Sequence, residues 1–135
     1  MRIQQFQEFA VAAYQQAPEV VSAEPYTEGH NRPAGVEIKL AGGKVVRHAI
    51  TRVRVEGEDL EQPEPVAEGE PPAPIEPRPT PSGVRDRQTA QFLAAVLAGT
   101  GHKELARVYP YEESSQNPGL GVVFHNGSKV NMLLL

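Results

Sequence analysis

The turn-like stretch "HNGSKV" (125–130) has an echo in "LAGGKV" (40–45), with glycine, lysine and valine in matching places 85 residues apart. A chain that makes one turn twice at a fixed interval is constrained more by that interval than by any single segment. Sliding residues 3–50 against 88–135 without a gap aligns Ala10/Ala95, Val11/Val96, Ala13/Ala98, Glu19/Glu104, Pro25/Pro110 and Tyr26/Tyr111. It also aligns Glu28/Glu113, Pro33/Pro118, Gly42/Gly127, Lys44/Lys129 and Val45/Val130, giving 11 identities in 48 positions. Turn falls on turn and proline on proline, so the pattern reads as an ancestral duplication.

Each copy carries the same succession of signals. In the first, Ile3, Phe6, Phe9, Ala10, Ala13, Tyr14 and Ala17 recur at helical spacing, with glutamines opposite, and Pro18 limits the end. In the second, Phe92, Leu93, Val96 and Leu97 form the stripe of "RDRQTAQFLAAVLAG". Asp86 or Ser82 offers an N-cap there, and Gly99 or Gly101 an end. A strand follows in each copy, "EVVSAE" (19–24) or "ELARVY" (104–109), then a polar loop whose proline, Pro33 or Pro118, keeps its predecessor out of helix. A hairpin closes the copy. "VEIKL" turns through Ala41–Gly43 into "KVVRHAITRVRV", and "GVVF" turns through Asn126–Gly127 into "SKVNMLLL". Asn-Gly predicts a type I′ turn, whose two central residues both need positive φ.

Between the copies lies "GEDLEQPEPVAEGEPPAPIEPRPTPSG" (57–83), with eight of the 13 prolines, seven acidic residues and one basic, Arg78. The whole chain carries a formal charge of -4. Outside this stretch the basic residues outnumber the acidic, so the acidity is local. Proline fixes φ and lacks an N–H, so the stretch cannot enter a sheet interior or continue a helix. It reads as an extended linker, either solvated or strapped onto the protein or a neighbour.

The expected fold class is therefore α+β. An internally duplicated α-β-β-β unit places two helices on mainly antiparallel sheet, with pseudo-two-fold symmetry and an acidic Pro-rich linker. The expected boundaries are 1–56 for the first repeat, 57–83 for the linker and 84–135 for the second repeat. One helix covers only one face of a three-stranded sheet and leaves edges open, which packing of the two copies repairs.

The final strand is apolar on both faces, a pattern of strands lying between two layers. Val130, Met132, Leu133, Leu134 and Leu135 are thus the expected interface, within the chain or between chains. The last strand of the first copy carries Lys44, Arg47, Arg52 and Arg54, a candidate phosphate-contacting strip. A helix followed by a three-stranded meander resembles the layout of double-stranded-RNA-binding domains, which implies a nucleic-acid partner. The basic Lys-Lys start of their C-terminal helix is missing here.

Patterns for chemistry are sparse. With no cysteine, thiolate chemistry and disulfides are excluded. His30, His48, His102 and His125 form no i,i+4 pair. Ser114, Ser115 and Ser128 sit in loop and turn contexts that favour serine. The only aspartates, Asp59 and Asp86, lie in the linker and at a helix start. "AGGK" lacks the spacing and the following Ser or Thr of a phosphate loop. The repeated polar set is Tyr26/Tyr111 with Glu28/Glu113 and Lys44/Lys129. No catalytic residue, metal site or cofactor is expected. The glutamine-interrupted N-terminus is not a signal peptide, and no apolar run reaches membrane-spanning length. The expected protein is a soluble, non-catalytic structural or interaction protein, intracellular or part of a viral particle. A bacteriophage or mobile-element particle component, working in a homo- or hetero-oligomer, is the concrete form. A small nucleic-acid-binding or regulatory protein is the alternative.

Overall fold

The computed structural model describes residues 1–27, 34–112 and 115–135. Glu28, His30, Pro33, Glu113 and Ser114 lie outside the described residues. The chain is α+β, with two helices and two antiparallel sheets. The elements are α1 (Ile3–Gln15), β1 (Val20–Pro25), β2 (Gly35–Leu40), β3 (Val45–Ala49), β4 (Thr51–Val53), α2 (Arg87–Ala98), β5 (Leu105–Pro110), β6 (Gly119–Phe124) and β7 (Lys129–Leu133). One sheet has the order β1-β2-β3, the other β4-β7-β6-β5.

The single long basic strand expected over 44–55 is instead broken at Ile50. Its amide donates to Ala34 O, and its side chain is buried. The two pieces keep one line along the final strand. β4 pairs with β7 through Thr51↔Asn131 and Val53↔Lys129, and three residues before Thr51 an isolated bridge joins His48 to Leu134. The Leu135 amide then donates to Arg47 O at 2.9 Å. The first sheet thus meets the second at the centre of the molecule.

Corresponding hydrogen bonds recur in the two halves. Leu40 N to Lys44 O is matched by Phe124 N to Ser128 O, and Tyr26 N to Gly35 O by Tyr111 N to Gly119 O. β1 and β5 carry a register shift at the same place, Val20/Ser22 and Leu105/Arg107. The interval is not uniform, however. First strands correspond at 85 residues (Val20 and Leu105), but hairpins at 84 (Gly35↔Ala49 against Gly119↔Leu133). The gapless match therefore places Gly42 on Gly127, where the hydrogen bonds equate Gly43 with Gly127.

The second hairpin turn also differs from the type I′ expectation. Gly127 has φ +92°, but among the described residues none other than glycine, Asn126 included, has positive φ. Gly127 N donates to Phe124 O and Phe124 N to Ser128 O. The loop is a three-residue turn closed by a left-handed glycine, the second commonest hairpin form.

Both helices lie on one face of the sheets, over one apolar core that draws on both halves. Phe6 of α1 meets Phe124 of β6 edge-on at 6.0 Å. α2 is the deeper helix, with nine buried residues against four in α1. Its sequence explains this: Ala94, Ala95 and Ala98 extend the stripe of Phe92, Leu93, Val96 and Leu97 around most of the cylinder. A helix apolar on nearly all sides must be covered on nearly all sides. The proline-rich chain between β4 and α2 supplies part of that cover. Ile75 packs on the core, the Arg78 guanidinium sits 5.4 Å from the Phe92 ring, and Gln91 donates to Pro77 O. Asp86 caps α2, accepting from Thr89 N at 2.8 Å, and Ser82 donates to Asp86. Among the described residues, no helix is long and apolar enough to cross a membrane.

Candidate functional site

Period-two alternation sorts the strand residues between a helix-covered face and an open one. Val130, Met132 and Leu134 point inward and are buried in the chain's own core. That part of the expected interface is therefore intramolecular, made with the helices and the first half. Leu133 and Leu135 point the other way and are half-buried. The doubly apolar strand lies inside a sheet, with its second face only partly covered.

The basic strip separates in the same way. Residues paired across antiparallel strands share a face, and Arg52 pairs with buried Val130. Arg52 thus turns inward, away from Arg47, and only 6% of its side chain is exposed. It lies 3.0 Å from both Glu58 and Glu64 and donates to Met1 O at 2.9 Å. Arg2 joins the cluster 2.6 Å from the otherwise unpartnered Glu58 Oε2, and Glu64 also accepts from the Met1 ammonium and Asn126. Burial alone would raise the pKa of Glu58. Hydrogen bonds from Arg52 and Val55 N, with the Arg52 and Arg2 charges, hold it below its ordinary value. Glu64 behaves alike: burial opposes ionisation, but the N-terminal ammonium, Asn126 and Arg52 outweigh it. The acidic stretch has taken Arg52, which does not lie on the open surface with Arg47. Arg54 and Lys44 are exposed, and Lys44 sits at the far hairpin beside Ser82 and Gly83. The four residues do not form one strip.

Of the histidines, His48 is fully buried. Its Nδ1 lies 3.1 Å from Ala49 O, which can only accept, so Nδ1 carries the proton and Nε2 accepts from Tyr14 Oη at 2.9 Å. Burial lowers the pKa of His48 to about 4, against a small upward pull from Ala49 O. The same burial raises that of Tyr14. His125 binds Glu70 O at 2.8 Å, and His102 lies 3.7 Å from Glu104. Among the described residues, no three His, Asp or Glu converge as metal ligands. Ser128 is buried and donates to Asn126, closing the turn. Ser115 and Asp59 are exposed.

The candidate site is the open sheet face, which has no helix over it. At its centre a groove of about 440 Å³ is lined by Tyr26, Val45, Arg47, Arg85 and Leu133–Leu135. Arg47 lies 5.0 Å from the Tyr26 ring centre and 2.8 Å from Glu37. Arg85 donates to Leu134 O and Asn117. Further along β5–β7, Arg107 and Lys129 approach the Tyr109 ring at 4.6 and 5.5 Å, and the Tyr111 ring is 6.3 Å from that of Tyr109. The aromatic and cationic composition was missed by strand-by-strand reading. Tyr26 and Tyr111 stood out as a repeated pair, but their neighbours come from other strands. Comparison with protein-family models, curated proteins and solved structures finds no match.

Proposed function

We propose that this chain is a non-catalytic assembly subunit, docking on a neighbour through the open sheet face. The observation that carries the reading is the central groove. Leu133, Leu135 and Val45 form an apolar floor between Tyr26, Arg47 and Arg85. Apolar and aromatic centres rimmed by arginine are the composition of protein interfaces.

The occupant is the acidic strap of a second copy. Residues 57–83 carry Leu60 and Val66, 56% and 68% exposed, among Glu61, Glu68 and Glu70. An extended, proline-stiffened segment of that kind complements an apolar groove between two arginines and loses little entropy on docking. Such contacts close a two-fold dimer where the two straps are exchanged, and build rings or open arrays where they run head-to-tail. A bacteriophage or mobile-element particle component is the concrete form of this reading. Recurrence of the same hydrogen bonds in the two halves supports descent from one duplicated α-β-β-β unit about a local two-fold axis near His48 and Leu134. In this reading the acidic connector became the link between copies.

The test is mass in solution by size exclusion with light scattering. A mass that rises with concentration above 14.7 kDa is expected. Leu133→Lys should return it to the monomer with the circular dichroism spectrum unchanged. A wild-type chain that stays monomeric throughout, or a Leu133→Lys variant that keeps the assembled mass, would sink the proposal.

A further inference from the structure

The β5–β6–β7 end of the open face holds a second feature, next to the Leu133 groove, since Gly119 pairs with Leu133. Tyr109 and Tyr111 emerge on that face, with ring centres 6.3 Å apart. Their rings lie close against the sheet because glycines stand beneath them. A Cβ at Gly121 would come within 2.5 Å of the Tyr109 ring, and one at Gly119 within 2.6 Å of the Tyr111 ring. Both residues are partly exposed. The Arg107 guanidinium and the Lys129 ammonium lie over the Tyr109 ring, 4.6 and 5.5 Å from its centre. Among the described residues no carboxylate is paired with either cation, and Glu104, three residues before Arg107, lies by His102 at 3.7 Å. On a chain with formal charge -4, this patch is locally cationic and aromatic.

We infer that this patch binds single-stranded nucleic acid. Rings held against a flat sheet offer platforms on which unpaired bases stack, and flanking cations meet the phosphates. A duplex hides its base faces, and this surface presents no helix or ribbon to enter a groove. An acidic protein would use the charges but leave the rings without a role. Two neighbouring rings suit about two stacked bases, with little base selectivity because every base has a π-face. The inference is independent of the Leu133 docking, which light scattering tests without nucleic acid.

The experiment is fluorescence anisotropy of labelled oligo(dT) and oligo(rU) titrated with the full chain at low salt. Saturable binding is expected for both. Tyr109→Leu with Tyr111→Leu should weaken it about thirtyfold or more, as stacking is worth about 1–3 kcal/mol per base and two bases lose their platforms. Arg107→Gln with Lys129→Gln should flatten the dependence of log K on log salt by about 1.4, at roughly 0.7 for each phosphate no longer neutralised. Absence of binding would overturn the inference. So would an affinity unchanged by the tyrosine variant while the fold is intact, or equal displacement by polyglutamate, which would indicate an acidic protein surface instead.

Discussion

His48 sits where the two sheets meet, and its environment makes it acid-sensitive. The neutral ring is held between Tyr14 and the Ala49 carbonyl, and burial lowers its pKa from 6.5 to about 4. The unfolded chain therefore binds a proton more readily than the folded one. Stability from this group is complete above pH about 6.5 and falls as pH drops towards 4, by about 3 kcal/mol in all. Urea midpoints measured between pH 7 and 4 should shift down accordingly. Tyr14→Phe combined with His48→Leu should remove most of that slope, because the titrating ring is gone and no buried hydroxyl is left unpaired. Glu58 and Glu64, whose pKa values are depressed, add their own loss only at lower pH, as the carboxylates protonate. Arg52 makes a related point. Its type suggested a phosphate contact, and its parity on the strand, shared with Val46 and His48, already placed it on the covered face.

Among the elements, α2 depends most on its cap and on its cover. Asp86 accepts from Thr89 N and from Ser82 Oγ. Burial pulls the Asp86 pKa up, but these donors hold it below the ordinary value. Asp86→Ala should cost about 1 kcal/mol, whereas Asp86→Ser should retain most of the stability. Thermal melts of the two variants check this directly. Helix limits, both caps of α2 and the succession of strands along the chain were legible because capping residues, prolines and alternation act locally. The turn at Asn126–Gly127 was legible only in place. Its type depends on where the flanking strands pair, and one residue of slack gives a three-residue loop rather than a two-residue one.

For the molecule as a unit, the two halves share one core and one line of strand pairing. Phe6 of the first half meets Phe124 of the second, and β4 pairs with β7. Neither half buries its apolar face alone, so unfolding should be a single cooperative event. Hydrogen exchange of amides in β2 and β6 should report the same opening free energy in denaturant. Separate transitions for the two strands would contradict the shared core.

Periodicity, proline geometry and caps act over a few residues, so what they control can be read along the chain. They account for the α+β class, the places of both helices, the acidic proline-rich stretch and most element limits. Packing in three dimensions settled the rest. It placed the acidic stretch, gave Arg52 to that stretch rather than to an open surface, and turned Val130, Met132 and Leu134 toward the chain's own core. It also set Tyr26, Arg47 and Leu133 around one groove, and laid Tyr109 and Tyr111 over Gly121 and Gly119. Each of these depends on which strand lies beside which. That is fixed by burial of the common core, and it brings together residues far apart in the chain.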